Sequence, residues 1–144
     1  MNRKTFLALA MLGAMAAIGI GSASAQDKVR ATIPFGFNVG AKALPAGDYE
    51  LQRLNGQSMV IRELGGTEAA LALTRATDGN SGEGEATLVF NRYGQDSFLS
   101  EILMPEGSRA VLKSKTERRA AARAAESAEN TAASSVIYVA AAVK

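Results

Sequence analysis

Between Tyr49 and Met104 no apolar run extends far before a glycine-bearing turn interrupts it, and this rhythm constrains the fold more than any other feature. Short segments rich in β-branched and aromatic residues, punctuated by turn dipeptides, read as antiparallel strands rather than helices. Tyr49 to Leu54 and Gln57 to Leu64 flank Asn55-Gly56. Both of those residues tolerate positive φ, so the dipeptide predicts a hairpin closed by a type I′ turn. Gly65-Gly66 then leads into Ala69 to Ala76, in which Leu71 and Leu73 share one face of an extended chain. Thr77 to Gly84 is a polar, glycine-rich loop. Ala86 to Tyr93 and Ser97 to Met104 flank Gly94-Gln95-Asp96 and predict the longest hairpin, with Leu88, Phe90, Phe98 and Ile102 directed inward.

The composition changes after Pro105-Glu106-Gly107. Residues 113–130 are alanine-rich and free of Gly and Pro, which predicts a helix. Ala120, Ala121, Ala124, Ala125 and Ala128 fall on one face, and Arg119, Arg123 and Glu126 on another. Residues 135–143, SVIYVAAAV, suit a final strand. The expected fold is all-β: an antiparallel sandwich or partly closed barrel of about seven or eight strands, with one Ala-rich helix before the last strand.

The first 25 residues carry Arg3 and Lys4, an apolar run from Phe6 to Ile20, and the triplet Ala23-Ser24-Ala25. That three-part pattern predicts a cleaved secretory signal peptide over residues 1–25, an exported product in the periplasm or outside the cell, and a single domain over 26–144. The run is about 15 residues, shorter than the roughly 20 needed to span a bilayer. Gln26 rather than Cys follows the cleavage site, so lipid attachment there is not expected. Removing Arg3 and Lys4 from 16 basic residues leaves them level with the 14 acidic ones, so the sequence pI near 9.1 is no nucleic-acid signature. The chain contains no Cys, His or Trp. Stability must come from packing, and thiol nucleophiles, Cys/His zinc sites and Ser-His-Asp arrangements are excluded. No cofactor is expected.

The most patterned stretch, residues 33–51, reads IPFGFNVGAKALPAGDYEL. Phe35, Phe37 and Val39 alternate onto one face of a strand. Pro34 cannot donate to a ladder, so this strand should begin at or follow a sheet edge. Pro45 suits the second position of a turn, and Gly47 a position where φ can be positive. Leu44, Gly47 and Tyr49 then form a Leu-x-x-Gly-x-Tyr run similar to the tyrosine corner of Greek-key sandwiches, with Leu44 plugging the core and the Tyr49 hydroxyl bonded to backbone just upstream. The functional alternative is that Asp48 and Tyr49 line a ligand site.

I-P-F-x-F-x-V-G, L-P-A-G-x-Y, LVFNRYGQDSFLSEI at Leu88 to Ile102, and SKTER at Ser114 to Arg118 together resemble a family of uncharacterised secreted β-rich proteins widespread in soil bacteria. The resemblance spans most of the chain after the signal. It implies a small exported β protein and no particular chemistry. The family pattern often has His where Asn91 stands and an acid where Gly36 stands, which leaves this chain without groups for a metal or proton-transfer role at those positions.

Asp78, Asn80, Glu83 and Glu85 suggest oxygen ligands for calcium, but Glu83 stands where an EF-hand needs glycine and Val89 where it needs glutamate. Ser114 lies between Lys113 and Lys115, in a segment too charged to desolvate a catalytic lysine. Glu101, inside FLSEIL, is read as a solvent-facing residue or an ion-pair partner of Arg92. Arg109, Lys113, Lys115, Arg118, Arg119 and Arg123 crowd around one acid, Glu117. They form either a solvated helix face or a contact for envelope lipid or a polyanionic polysaccharide. Nucleic acid is not expected, because no aromatics interleave the cations. The leading expectation is a non-catalytic exported module that binds something or contributes to the envelope. A carrier of a small apolar ligand in a barrel cavity is the alternative, and a carboxylate-based hydrolase a third.

Overall fold

The computed structural model describes residues 28–82, 84–127 and 134–144. The signal peptide expected over 1–25, Glu83 of the acidic loop, and the last residues of the helix expected to reach Asn130 lie outside the described residues.

The described residues form ten strands and one helix. The strands are β1 (Lys28–Ile33), β2 (Phe37–Val39), β3 (Lys42–Leu44), β4 (Gly47–Asn55), β5 (Ser58–Glu63), β6 (Ala69–Thr77), β7 (Glu85–Tyr93), β8 (Asp96–Leu103), β9 (Ser108–Val111) and β10 (Ser134–Val143), with α1 (Lys115–Ser127) before β10. Eight of them close into an antiparallel barrel, in the order β8, β7, β10, β1, β4, β5, β6, β9, with β9 returning to β8. Of the two expected architectures the barrel is therefore the one formed, and it is closed. The extra strands are β2 and β3, a small antiparallel hairpin attached to β8 by one parallel bridge, Asn38 opposite Phe98.

Period-two alternation builds the wall. In β1, Val29, Ala31 and Ile33 point inward and are buried, while Arg30 and Thr32 face solvent. Across the outer face Arg30 lies opposite Glu50, its Nε donating to the carboxylate at 3.0 Å, and Lys28 Nζ sits 3.2 Å from the same group. These contacts, the Arg30 hydrogen bond foremost, hold the Glu50 carboxyl below its ordinary pKa. The interior is filled by side chains, as suits a barrel of about eight strands. Tyr49, Leu51, Met59, Ile61, Leu88, Phe90 and Ile102 are all 0% exposed.

Several expectations need correction. The β4–β5 hairpin forms, but its turn residues are Gly56 and Gln57, and neither these nor Asn55 has positive φ, so the turn is not type I′. Asn55 acts instead through its side chain, Oδ1 accepting the Gln57 N–H at 2.8 Å, and this Asx bond replaces the left-handed conformation. Gly47 likewise is not left-handed; it simply opens β4. Phe98 does not face the interior. The ladder runs Val89 opposite Glu101 but Phe90 opposite Leu99, so Ser100 is bulged out, its hydroxyl donating to the Val89 carbonyl at 3.0 Å. The bulge inverts the alternation, turning Leu99 inward and Phe98 outward beside Tyr93, with ring centroids 6.0 Å apart.

Candidate functional site

Pro34 ends β1, and the chain then folds back to place the β2–β3 hairpin at the end of the barrel where β4 begins. Phe37 is buried, its ring 5.1 Å from Tyr49 and 5.4 Å from Phe90, both near-perpendicular. Phe35 is half-buried, edge-on to Phe90 at 5.2 Å. Edge-to-face stacks of this kind contribute about 0.5–1.5 kcal/mol beyond the area they bury. Leu44, opposite Phe37 in the hairpin, is also buried. The Tyr49 hydroxyl donates to the carbonyl of Pro45, four residues upstream, at 2.7 Å. Pro45 itself is exposed and Gly47 half-buried, so the six residues of this stretch form a plug that leaves no open phenol for a ligand.

The six cations separate. Arg109 is not part of a surface patch: it is 7% exposed and lies in β9 on the same side as buried Val111, pointing into the barrel near the β4–β5 turn. Its Nε donates to Thr74 Oγ1 at 2.9 Å, and a terminal nitrogen donates to the Gly56 carbonyl. Burial, with Arg53 nearby, lowers its pKa from the ordinary arginine value. The other five, Lys113, Lys115, Arg118, Arg119 and Arg123, are exposed and gathered on α1 and its approach.

Local chemistry holds that helix in place. Ser114 is the N-cap: its Oγ accepts the Glu117 N–H at 3.0 Å and its carbonyl accepts the Arg118 N–H at 3.1 Å. The same hydroxyl donates to the Gly40 carbonyl at 2.9 Å, tying the helix start to the β2–β3 turn. Gly40 turns that corner with φ of 60°, which a glycine adopts without steric cost. Glu117 is 3% exposed and turns toward the outer face of β7, accepting from Asn91 Nδ2 at 3.2 Å and from the Tyr93 hydroxyl at 3.3 Å. Lys113 Nζ approaches that hydroxyl at 3.5 Å.

The docked face of α1 therefore carries buried Glu117 and Ala120 with half-buried Ala121 and Ala124, and Ala125 is exposed. The apolar stripe expected from alanines alone was rotated, because the hydrogen-bonded carboxylate occupies the first turn of the docked face. Ser114, Glu117, Asn91 and Tyr93 were not grouped from sequence. The Ser-x-x-Glu spacing of a capping box was the available signal for two of them. Glu101 is half-buried and accepts from Thr77 Oγ1 at 3.0 Å, while Arg92 Nε bonds the Gly94 carbonyl, so these two do not form the ion pair expected as one alternative. Among the described residues no three Asp, Glu, His or Cys side chains gather as metal ligands, and no helix is long and apolar enough to cross a membrane.

No family model, curated protein or solved structure matches the chain.

Proposed function

We propose that this chain is an exported, non-catalytic module that rests on a polyanionic surface, envelope lipid or anionic polysaccharide, through the outward face of α1. The observation that supports it is charge segregation on the helix. Glu117, the one acid among the clustered cations, is turned against β7, while Lys113, Lys115, Arg118, Arg119 and Arg123 face solvent. Among the described residues only Arg123 of these five has an acidic neighbour at ion-pair distance, Asp96 at 3.9 Å. Glu126 is the remaining acid on α1, near its C-terminal end. Each cation brought to an anionic surface contributes about 1 kcal/mol, screened by salt. The N-terminal pattern of residues 1–25 supports export, and the absence of His and Cys supports a binding rather than a catalytic role.

Co-sedimentation with phosphatidylglycerol vesicles, with phosphatidylcholine vesicles, and with alginate in solution tests the reading. Binding to one or both polyanions is expected at low salt and is lost as salt rises. Lys115→Gln, Arg118→Gln and Arg119→Gln together should weaken it by about a hundredfold. No salt-sensitive binding to either polyanion would sink the proposal.

A further inference from the structure

The outer wall of the barrel is not chemically uniform. On β1 and β4 its solvent-facing positions are polar: Arg30 and Thr32 on the first strand, Asp48, Glu50 and Gln52 on the second. On β6 the same parity brings out Leu71 and Leu73, each 57% exposed, while Ala70, Ala72 and Thr74 fill the interior. Leu73 lies between Ser58 of β5 and Leu112, whose N–H donates to the Leu73 carbonyl at 2.9 Å and which is itself 49% exposed. Half-buried Val60 stands opposite Leu71. Leucines exposed singly are ordinary on a protein surface, but a contiguous set marks a contact.

Cations border this set. Arg62 on β5 lies opposite Ala69, Arg75 on β6 lies opposite Ala110, and Lys113 follows Leu112. All three are exposed, and among the described residues none has an acidic neighbour at ion-pair distance. A groove lined by Leu73, Leu112, Gln57 and Arg75 joins the apolar strip to its charged rim.

We infer that this face of β6 and β9 seats on an anionic lipid bilayer, with Leu71, Leu73 and Leu112 in the acyl boundary and Arg62, Arg75 and Lys113 at the headgroups. An apolar strip rimmed by unpaired cations complements the layering of such a surface, hydrocarbon beneath negative headgroups. A protein partner matches it less well. Contacts between proteins centre on aromatic and arginine side chains with directed hydrogen bonds, whereas the centre here is aliphatic throughout. Fluid acyl chains need no preformed shape to pack against leucine. The contact differs in kind from that of α1, because leucine burial is not screened by salt and discriminates lipid from a polyanion in solution. The inference therefore stands whether or not α1 holds a polyanion.

Co-sedimentation with phosphatidylglycerol vesicles at low salt tests it. Leu71→Ser, Leu73→Ser and Leu112→Ser together should weaken binding on the order of a hundredfold. They change no charge, so any binding to alginate should be unaltered, and at exposed sites they should leave the thermal midpoint in place. Loss on these serine substitutions but not on the glutamine substitutions of α1 would separate the two contacts in favour of this one; the reverse would keep α1 and overturn the inference. Insertion can be read directly, since the chain has no cysteine of its own. A polarity-sensitive fluorophore on Leu73→Cys should shift to the blue when vesicles are added, and one on Thr32→Cys, with β4 and β5 between it and β6, should not. Three results would overturn the inference: no vesicle binding by the native chain, a serine variant that binds vesicles as tightly as the native chain, or no blue shift at Leu73→Cys on bound vesicles.

Discussion

The two ends of the barrel are closed by opposite chemistries. Where β4 begins, the plug is aromatic: Phe35, Phe37, Tyr49 and Phe90 stack edge to face, with one hydroxyl bonded to backbone. Near the β4–β5 turn it is a guanidinium, with Arg109 spanning from Thr74 to the Gly56 carbonyl. The aromatic plug is stabilised by the area it removes from water and tolerates imperfect geometry. The arginine plug carries a desolvation cost that only its hydrogen bonds offset, so it depends on atoms being where they are. A barrel closed by these two devices should lose stability in different ways when each is cut.

The largest effect is expected at the aromatic end. Phe37→Ala removes a fully packed ring from contact with two others and opens a cavity beneath the β2–β3 hairpin, which has only one bridge to β8. A loss of about 3–5 kcal/mol follows, read from the urea midpoint. Phe37→Leu should recover a large part of it, since burial matters here more than ring geometry. If Phe37→Leu were as damaging as Phe37→Ala, the edge-to-face geometry would be the essential element and the contrast between the ends would fail.

At the other end Arg109→Ala should cost about 1–3 kcal/mol, since Thr74 Oγ1 and the Gly56 carbonyl lose a charged donor. The telling comparison is with Arg109→Lys and Arg109→Met. Lysine keeps the charge but not the planar fork that reaches two acceptors, so it should not restore stability. Methionine removes the buried charge and keeps the stem packing, so it should be better tolerated than lysine. Urea denaturation of the three variants in parallel decides the matter. Full rescue by lysine would mean that charge, rather than directed hydrogen bonding, closes this end.

The legibility of the two ends in sequence differs for the same physical reasons. The aromatic end could be read because its parts are local: Phe35 and Phe37 alternate, and Tyr49 reaches back only to Pro45. The arginine end was hidden behind composition. Arg109 sits among other cations, and its burial is set by β9, a four-residue strand, SRAV, without the length to announce itself. The signal was the shared parity of Arg109 and Val111, which puts both inside once either is. Closure of the ring was equally illegible, since it depends on β9 reaching both β6 and β8. The Ser100 bulge that turns Phe98 outward and the pairing of Glu117 with Asn91 join segments that only the folded chain brings together. Strand β1, by contrast, is legible in the sequence, since Val29, Ala31 and Ile33 alternate with Lys28, Arg30 and Thr32.

The smallest expected effect tests the one polar bond inside the aromatic plug. Tyr49→Phe keeps the ring against Phe37 and removes only the donor to Pro45, an exposed residue whose carbonyl water can reach, so the loss near neutral pH should be about 1 kcal/mol. The pH dependence separates this bond from packing. Burial first, then the charges of Glu63 and Glu68, raise the Tyr49 pKa above its ordinary 10.0. The folded state thus holds the phenolic proton more tightly than the unfolded chain does. The stabilisation is complete below pH 10.0 and is lost as pH rises from there through the raised folded value. Unfolding midpoints of the native chain should therefore fall more steeply on the alkaline side than those of Tyr49→Phe, the two curves converging as the phenol ionises. Parallel curves would show that Tyr49 releases its proton equally in both states and that the plug is held by packing alone.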